Sequence, residues 1–222
     1  VSTPAAEAFF DAIAGRYERA YALPSAESRR RMGRVLAALS PAPARVLDLG
    51  VGTGRELSAL LDAGHSPTGL DASRAMLERC ARRARPVPLV RADFWQAPLP
   101  FDEATFDAAL ALHGTLAHPP DGTAVARLAH ELARIVRPGG VFVAEVPSPG
   151  WLDRLPSLPV EADRRARRTG PKTCIYEDLV AGVSIEANLL DEADWRAALE
   201  PDWETRVESV DELELLVVAH RR

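Results

Sequence analysis

Val46-Leu47-Asp48-Leu49-Gly50-Val51-Gly52-Thr53-Gly54, followed at once by an amphipathic stretch at residues 55–63, decides the fold of this chain. A buried strand that ends in glycines uses them to turn tightly and to let a ligand approach bare backbone. The spacing is not the dinucleotide fingerprint G-x-G-x-x-G, because Arg55 stands where the third glycine belongs. An acid, Asp48, sits inside the strand end instead. It would oppose a pyrophosphate and favour a ligand that brings positive charge.

Outward from this segment, short apolar runs alternate with segments of helical period. The runs fall at residues 45–49, 68–71, 89–92, 106–112 and 141–146. Several are apolar without strict alternation, which fits parallel strands covered on both faces. Between them, residues 55–63 line up Leu57, Leu60 and Leu61. Ser73 can cap a helix that turns Met76, Leu77 and Cys80 inward. Residues 123–137 set Val125, Leu128, Leu132 and Ile135 on one face, with Pro138-Gly139-Gly140 as a stop. Residues 4–40 read as two helices parted at Pro24-Ser25. Residues 147–180, rich in Pro, Arg and small residues, read as an irregular excursion or lid. A strand at 183–189, a helix at 192–199 and a hairpin pairing 203–210 with 213–219 complete the chain. The expectation is an α/β fold, a Rossmann-like three-layer sandwich. Its seven-stranded sheet would be mostly parallel, with the C-terminal hairpin antiparallel. We read 222 residues as a single domain: a helical cap (1–40), a cofactor core (41–146), an acceptor-side insertion or lid (147–190) and a completing helix and hairpin (191–222).

The run from Asp48 to Gly54 resembles the first motif of class I methyltransferases, and later features follow in that family's order. Asp71 ends the second strand, Asp93 with Phe94 and Trp95 ends the third, Phe106 to His113 resembles the fourth strand, and Arg137-Pro138-Gly139-Gly140-Val141-Phe142 resembles the turn into the fifth. The likeness is to small-molecule enzymes of the methyltransferase domain 11/25 kind, and it is good over residues 45–146. It implies S-adenosylmethionine as cofactor, with S-adenosylhomocysteine as product. That cofactor carries an ammonium and a sulfonium and no phosphate. The implied cofactor contacts are Tyr17, Asp48, Gly50, Gly52, Gly54, Asp71, Ala72, Met76, Asp93, Phe94, Leu112 and His113. Asp71 would accept from the ribose hydroxyls, Asp93 from the adenine amine, and Phe94 would pack on the ring.

The loop His113-Gly114-Thr115-Leu116-Ala117-His118 resembles that of small-molecule N-methyltransferases such as the glycine N-methyltransferase group. His113 and His118 are the candidate bases or acceptor-orienting groups, since imidazole titrates near neutrality. Orientation of a neutral nucleophile supplies much of the acceleration, so a base is helpful rather than obligatory. Tyr17 and Tyr21 could close over the cofactor, and Trp151 and Trp195 could line an acceptor pocket, although core packing is the ordinary role of each. No D/N-P-P-Y run follows the fourth strand, no cysteine lies in its loop, and no metal-ligating cluster stands out. Exocyclic base amines, cytosine C5 and magnesium-assisted catechols are thereby not indicated, and no metal is expected.

The bulk properties agree. Hydrophobic residues make up 47% and charged residues 27%, with a net charge of −5, so nothing draws the chain toward nucleic acid or anionic membrane. Cys80 and Cys174 stand far apart, no apolar run is long enough to span a membrane, and residues 1–7 lack the features of a signal peptide. A cytoplasmic enzyme that methylates an O or N atom of a small molecule is the expectation, with oligomeric state open. The alternatives are an RNA-modifying methyltransferase using Arg29, Arg30, Arg31 and Arg34 or Arg164, Arg165, Arg167 and Arg168, and a non-catalytic adenosyl-ligand-binding protein that kept the fold. A nicotinamide oxidoreductase is disfavoured by Arg55 and Asp48.

Overall fold

The computed structural model describes residues 4–22, 24–39, 41–83, 85–155 and 163–222. Helices α1 (Pro4–Ile13), α2 (Tyr17–Ala20) and α3 (Ser25–Ala38) precede strand β1 (Arg45–Leu49). Then come α4 (Leu57–Asp62), β2 (Ser66–Asp71), α5 (Arg74–Arg83), β3 (Leu89–Arg91) and β4 (Phe106–Ala111). Helix α6 (Ala124–Ile135) leads into β5 (Val136–Pro147), followed by α7 (Gly150–Arg154), β6 (Arg164–Arg168), β7 (Thr173–Asp178) and β8 (Val183–Asn188). The chain closes with α8 (Glu192–Leu199), β9 (Trp203–Ser209) and β10 (Glu214–Arg221).

Seven strands form one sheet in the order β3-β2-β1-β4-β5-β10-β9. The first five are parallel; β10 runs antiparallel to β5 with Val217 opposite Ala144, and to β9 with Val217 opposite Val207. Four of the five residues of β1 and five of the six of β4 are buried, as strands covered on both faces must be. One face packs α6 and α8 through Leu128, Leu132 and Trp195, and the other packs α3 and α4 through Val35 and Leu60. The expected Rossmann-like three-layer sandwich with a terminal hairpin is what the chain forms.

Three local expectations are corrected. The N-terminal region holds three helices, because Tyr17–Ala20 forms a separate turn of helix. Helix α6 ends at Ile135, before the glycines, since Pro138 biases Arg137 away from the helical region. Strand β5 therefore starts at Val136 and takes up a bulge between Phe106 and Ala108 of its neighbour. The stretch expected as irregular contains α7 and two strands, and β6, β7 and β8 form a second, three-stranded antiparallel sheet. The central part of that expected lid, residues 156–162, lies outside the described residues.

This second sheet sits against the N-terminal helices. Ile185 of β8 packs with Phe9, Ile13 and Ala14, and the same cluster reaches Met76 of α5. Arg16 is the polar latch: its guanidinium pairs with Asp163 and with Asp178, whose side chain is fully buried. Asp178 also accepts from the backbone N–H groups of Val180 and Ala181, so it fixes the turn between β7 and β8 as well. Removing one partner of a buried pair strands the other charge, a cost of about 3–5 kcal/mol. Arg16→Met is therefore expected to raise amide exchange across residues 164–188 while the seven-stranded sheet keeps its protection. Hydrogen exchange resolved by segment checks this; equal loss of protection in both sheets would show that Arg16 is no local latch.

Candidate active site

Open parallel sheets bind ligands beyond the carboxyl ends of their strands, where strand order reverses. Here that reversal lies between β1 and β4. The loop after β1 needs its glycines for definite reasons. Gly50 has φ +64, and a Cβ there would lie 2.5 Å from the Thr115 side chain. Gly52 has φ +53 with its Cβ position almost open, so its backbone presents a bare cradle to a ligand. Gly54 lines neither the cavity nor the pouch described below; its N–H donates to the Val51 carbonyl at 2.9 Å and turns the chain into α4.

Asp71 closes the other side of the loop. Its two carboxylate oxygens accept from the Gly52 and Ser73 N–H groups, each at 2.8 Å. Burial pushes its carboxyl up to about 6, against the downward pull of those two donors. Ser73 caps α5 by accepting from the Met76 N–H, as expected, and its hydroxyl donates to Asp11 of α1 at 2.5 Å. Asp11 also accepts from the Ala75 N–H, so the cap helix supplies half of the capping for α5.

A cavity of about 280 Å³ opens over these groups. One end is lined by Gly50, Gly52, Asp71, Ala72, Met76, Asp93 and Phe94, with Tyr17 and His113 beside them. Ten of the sequence-predicted residues thus meet in one space, His118 included. Asp48 and Leu112 do not reach it; they line a pouch of about 30 Å³ that shares Gly50, Gly52, Tyr17 and His113 with the main cavity. In that pouch Asp48 Oδ2 and Arg55 Nη2 are buried polar atoms without a hydrogen-bond partner. Burial first, then Glu56 and Asp71, holds the Asp48 carboxyl well above the usual range. The far end of the cavity is walled by Phe10, Ala117, Trp151, Tyr176 and Leu189. Trp151 faces the cavity as one option foresaw, whereas Trp195 is a core residue, 1% exposed.

Residues 46–140 match the family described as a methyltransferase domain. A demethylmenaquinone methyltransferase of Beutenbergia cavernae is 37% identical over 145 residues, 64% of this chain and 58% of that relative. The chain therefore spans little more than half the length of the curated relative. The fold is shared with the PH0226 protein of Pyrococcus horikoshii OT3 (TM-score 0.75, 19% identity, 93% of this chain and 99% of that one). It is shared too with CalS10 of Micromonospora echinaspora, an amino pentose methyltransferase solved with bound S-adenosylmethionine (TM-score 0.67, 22% identity, 93% of this chain and 96% of that one). The resemblance to the class I S-adenosylmethionine-dependent methyltransferases is thus borne out over residues 46–140, and the fold is the one those solved structures share.

The cofactor of that family fits the residues present. Its amino-acid end carries an ammonium and a carboxylate, and the pouch holds an acid oxygen and a guanidinium nitrogen without hydrogen-bond partners, Asp48 Oδ2 and Arg55 Nη2. The two candidate histidines differ. His113, with φ 55, pairs through Nε2 with Glu56 at 2.5 Å. His118 Nδ1 faces the Glu186 carbonyl at 2.7 Å, and burial lowers its basicity while that carbonyl raises it. A carbonyl only accepts, so Nδ1 carries the proton and the neutral ring leaves a lone pair on Nε2.

Several contributors were not legible in the sequence. Glu18 of α2 accepts from the Thr53 hydroxyl and pairs with Arg55 and Arg83, which ties the cap to the glycine loop. Glu56 carries no motif signal at all. Cys174, Tyr176, Ala187 and Leu189 reach the cavity from the second sheet. Ala187 and Leu189 belong to the strand expected over 183–189, whereas the period-2 spacing of Cys174 and Tyr176 was a usable strand signal inside the stretch expected to be irregular.

The raised Asp71 carboxyl has a stability consequence of definite sign. Between its ordinary value of 3.8 and about 6 the folded protein binds the proton more readily than the unfolded chain, so this group adds stability as pH falls. Urea denaturation of wild type and Asp71→Asn at pH 7 and pH 4 should show wild type gaining up to about 3 kcal/mol relative to the variant. A relative loss on acidification would overturn this account of Asp71.

Proposed function

We propose that this chain moves a methyl group from S-adenosylmethionine to an oxygen or nitrogen of a small-molecule acceptor, releasing S-adenosylhomocysteine. The observation that carries the reading is the pair of buried orphan atoms, Asp48 Oδ2 and Arg55 Nη2, in a pouch that adjoins a cavity with aromatic walls. The cofactor, when bound, supplies an electrophilic methyl group on a sulfonium. The chain's own residues do the rest. Asp48 takes the ammonium, and Arg55 the carboxylate. Asp71 keeps lone pairs for the ribose hydroxyls beyond its two backbone donors, and Asp93 and Phe94 hold the adenine, with Ala72 and Met76 beneath it. Tyr17 closes the site from above; burial pushes its hydroxyl up to about 12, so it serves as a neutral donor. Glu56 orients His113, and alignment of acceptor and methyl group is the main source of rate.

A small-molecule acceptor is supported by where the arginines go. Arg31 and Arg34 turn inward to Glu145, which is 1% exposed, and Arg31 also pairs with Glu214. In the second cluster, Arg165 pairs with Glu177, Arg168 with Asp153, and Arg164 lies 4.8 Å over the Tyr21 ring. These five arginines are engaged within the fold, whereas Arg29, Arg30 and Arg167 are exposed, so neither cluster is free as a whole to meet phosphates. Among the described residues no helix is long and apolar enough to cross a membrane.

Calorimetric titration tests the cofactor reading. S-adenosylmethionine is expected to bind in the micromolar range, and Asp71→Ala to weaken it at least about tenfold, the loss of more than one hydrogen bond. Arg55→Met should weaken S-adenosylmethionine by a similar factor and leave 5′-methylthioadenosine, which lacks the amino-acid end, unchanged. Equal losses for both ligands would remove Arg55 from the carboxylate, and no binding to folded wild type would remove the reading altogether.

A further inference from the structure

The cavity walls carry a pattern that concerns the acceptor. Among the described residues that line it there is no lysine or arginine. Of its carboxylates, Asp71 and Asp93 lie at the tips of β2 and β3, and Glu7 of α1, one helical turn from Phe10, is already paired with Arg91 at 2.7 Å. The opposite end is aromatic: Phe10 meets the His118 ring edge-on at 6.0 Å, and Tyr176 lies 6.2 Å from Phe9 and 6.4 Å from Tyr21. Trp151, Ala117 and Leu189 complete it. An anionic acceptor entering there would lose its water and find no cation, and a protonated amine would find no carboxylate nearby but Glu7, already engaged by Arg91. A flat, uncharged ring would lose little and gain aromatic contact.

We infer that the acceptor is a neutral aromatic compound bearing a hydroxyl group, and that His118 Nε2 receives the proton of that hydroxyl as its oxygen is methylated. This rests on the methyltransferase reading above and names its substrate class. The Nδ1–H bond to the Glu186 carbonyl holds the ring in the tautomer that has its lone pair on Nε2, on a residue that lines the aromatic end. The lowered basicity of the ring keeps it unprotonated at neutral pH, ready to accept. In the step, the acceptor oxygen forms a bond to the methyl carbon, and the carbon–sulfur bond breaks with its electron pair going to sulfur. The sulfonium becomes a neutral thioether, the O–H proton passes to His118, and the positive charge moves from sulfur to imidazolium. Solvent then takes that proton.

The test separates acceptor class from cofactor binding. Wild-type protein is first saturated with S-adenosylhomocysteine; failure at that point sinks the methyltransferase reading and the inference with it. The saturated protein is then titrated with 1-naphthol, 1-naphthoate and benzylamine, one probe for each charge state. Naphthol should bind at least about tenfold more tightly than either charged probe, the least that an unpaired charge in an apolar wall costs. Naphthoate or benzylamine binding as well as naphthol overturns the inference while leaving the cofactor reading intact. For the histidine, His118→Asn keeps a side-chain N–H for the Glu186 carbonyl and lacks the second ring nitrogen. Its naphthol affinity should stay within about threefold of wild type, while methyl transfer to naphthol falls about 100-fold in kcat. Unchanged kcat would remove His118 from the proton transfer, and equal loss of affinity and kcat would make it a packing residue.

Discussion

Two backbone N–H groups, from Gly52 and Ser73, share the carboxylate of Asp71, and the working end of the sheet is organised around that shared anion. The bond to Gly52 holds the glycine loop against the end of β2, with its backbone open toward the cavity. The bond to Ser73 sets the start of α5, so that Ser73 and Asp11 can cap it. A buried carboxylate is costly, as its raised proton affinity records. It is tolerated here because two donors are fixed on it by strand and turn, not by mobile side chains.

From that anchor the site divides into two electrical regions. The glycine loop and strand tips gather Asp48, Glu56, Asp71 and Asp93, with Arg55 set among them. Such a field suits a ligand that is cationic at sulfur and zwitterionic at its amino-acid end. The second sheet and α1 supply the opposite region, where Phe10, Trp151 and Tyr176 leave His118 as a neutral polar point. Burial thus acts in opposite senses on the two groups: it raises the Asp71 carboxyl and lowers the basicity of the His118 ring.

The cap is held by polar contacts as much as by its core. Glu18 bonds the glycine loop through Thr53 and Arg55, and Arg16 grips Asp163 and Asp178 at the edge of the second sheet. Between them, Phe9 and Ile13 fill the space against Met76 and Ile185. The cavity is therefore enclosed by three units far apart in the chain: the N-terminal helices, the strand ends of the large sheet, and β7 with β8. Aromatic contacts such as Phe9 with Tyr176 cross directly between the first and third.

The sequence by itself determined the seven-stranded scaffold, the position of the glycine loop and the acids at its strand ends. Each is a local matter: apolar runs specify buried strands, helical stripes specify their covers, and a turn that requires positive φ requires glycine. Asp71, Asp93, Phe94 and His113 were legible because they follow strand ends in a fixed order. Tertiary structure alone decided what encloses the cavity and which nitrogen of each histidine is engaged. The arginine-rich β6 has no apolar alternation, since an edge strand with exposed faces does not need one, so the second sheet was hidden in composition. The two histidines look alike in the chain, yet Glu56 engages Nε2 of one and the Glu186 carbonyl engages Nδ1 of the other. Both partners are brought there by folding across long stretches of chain, and a ring's free nitrogen is set by the group that meets its other one.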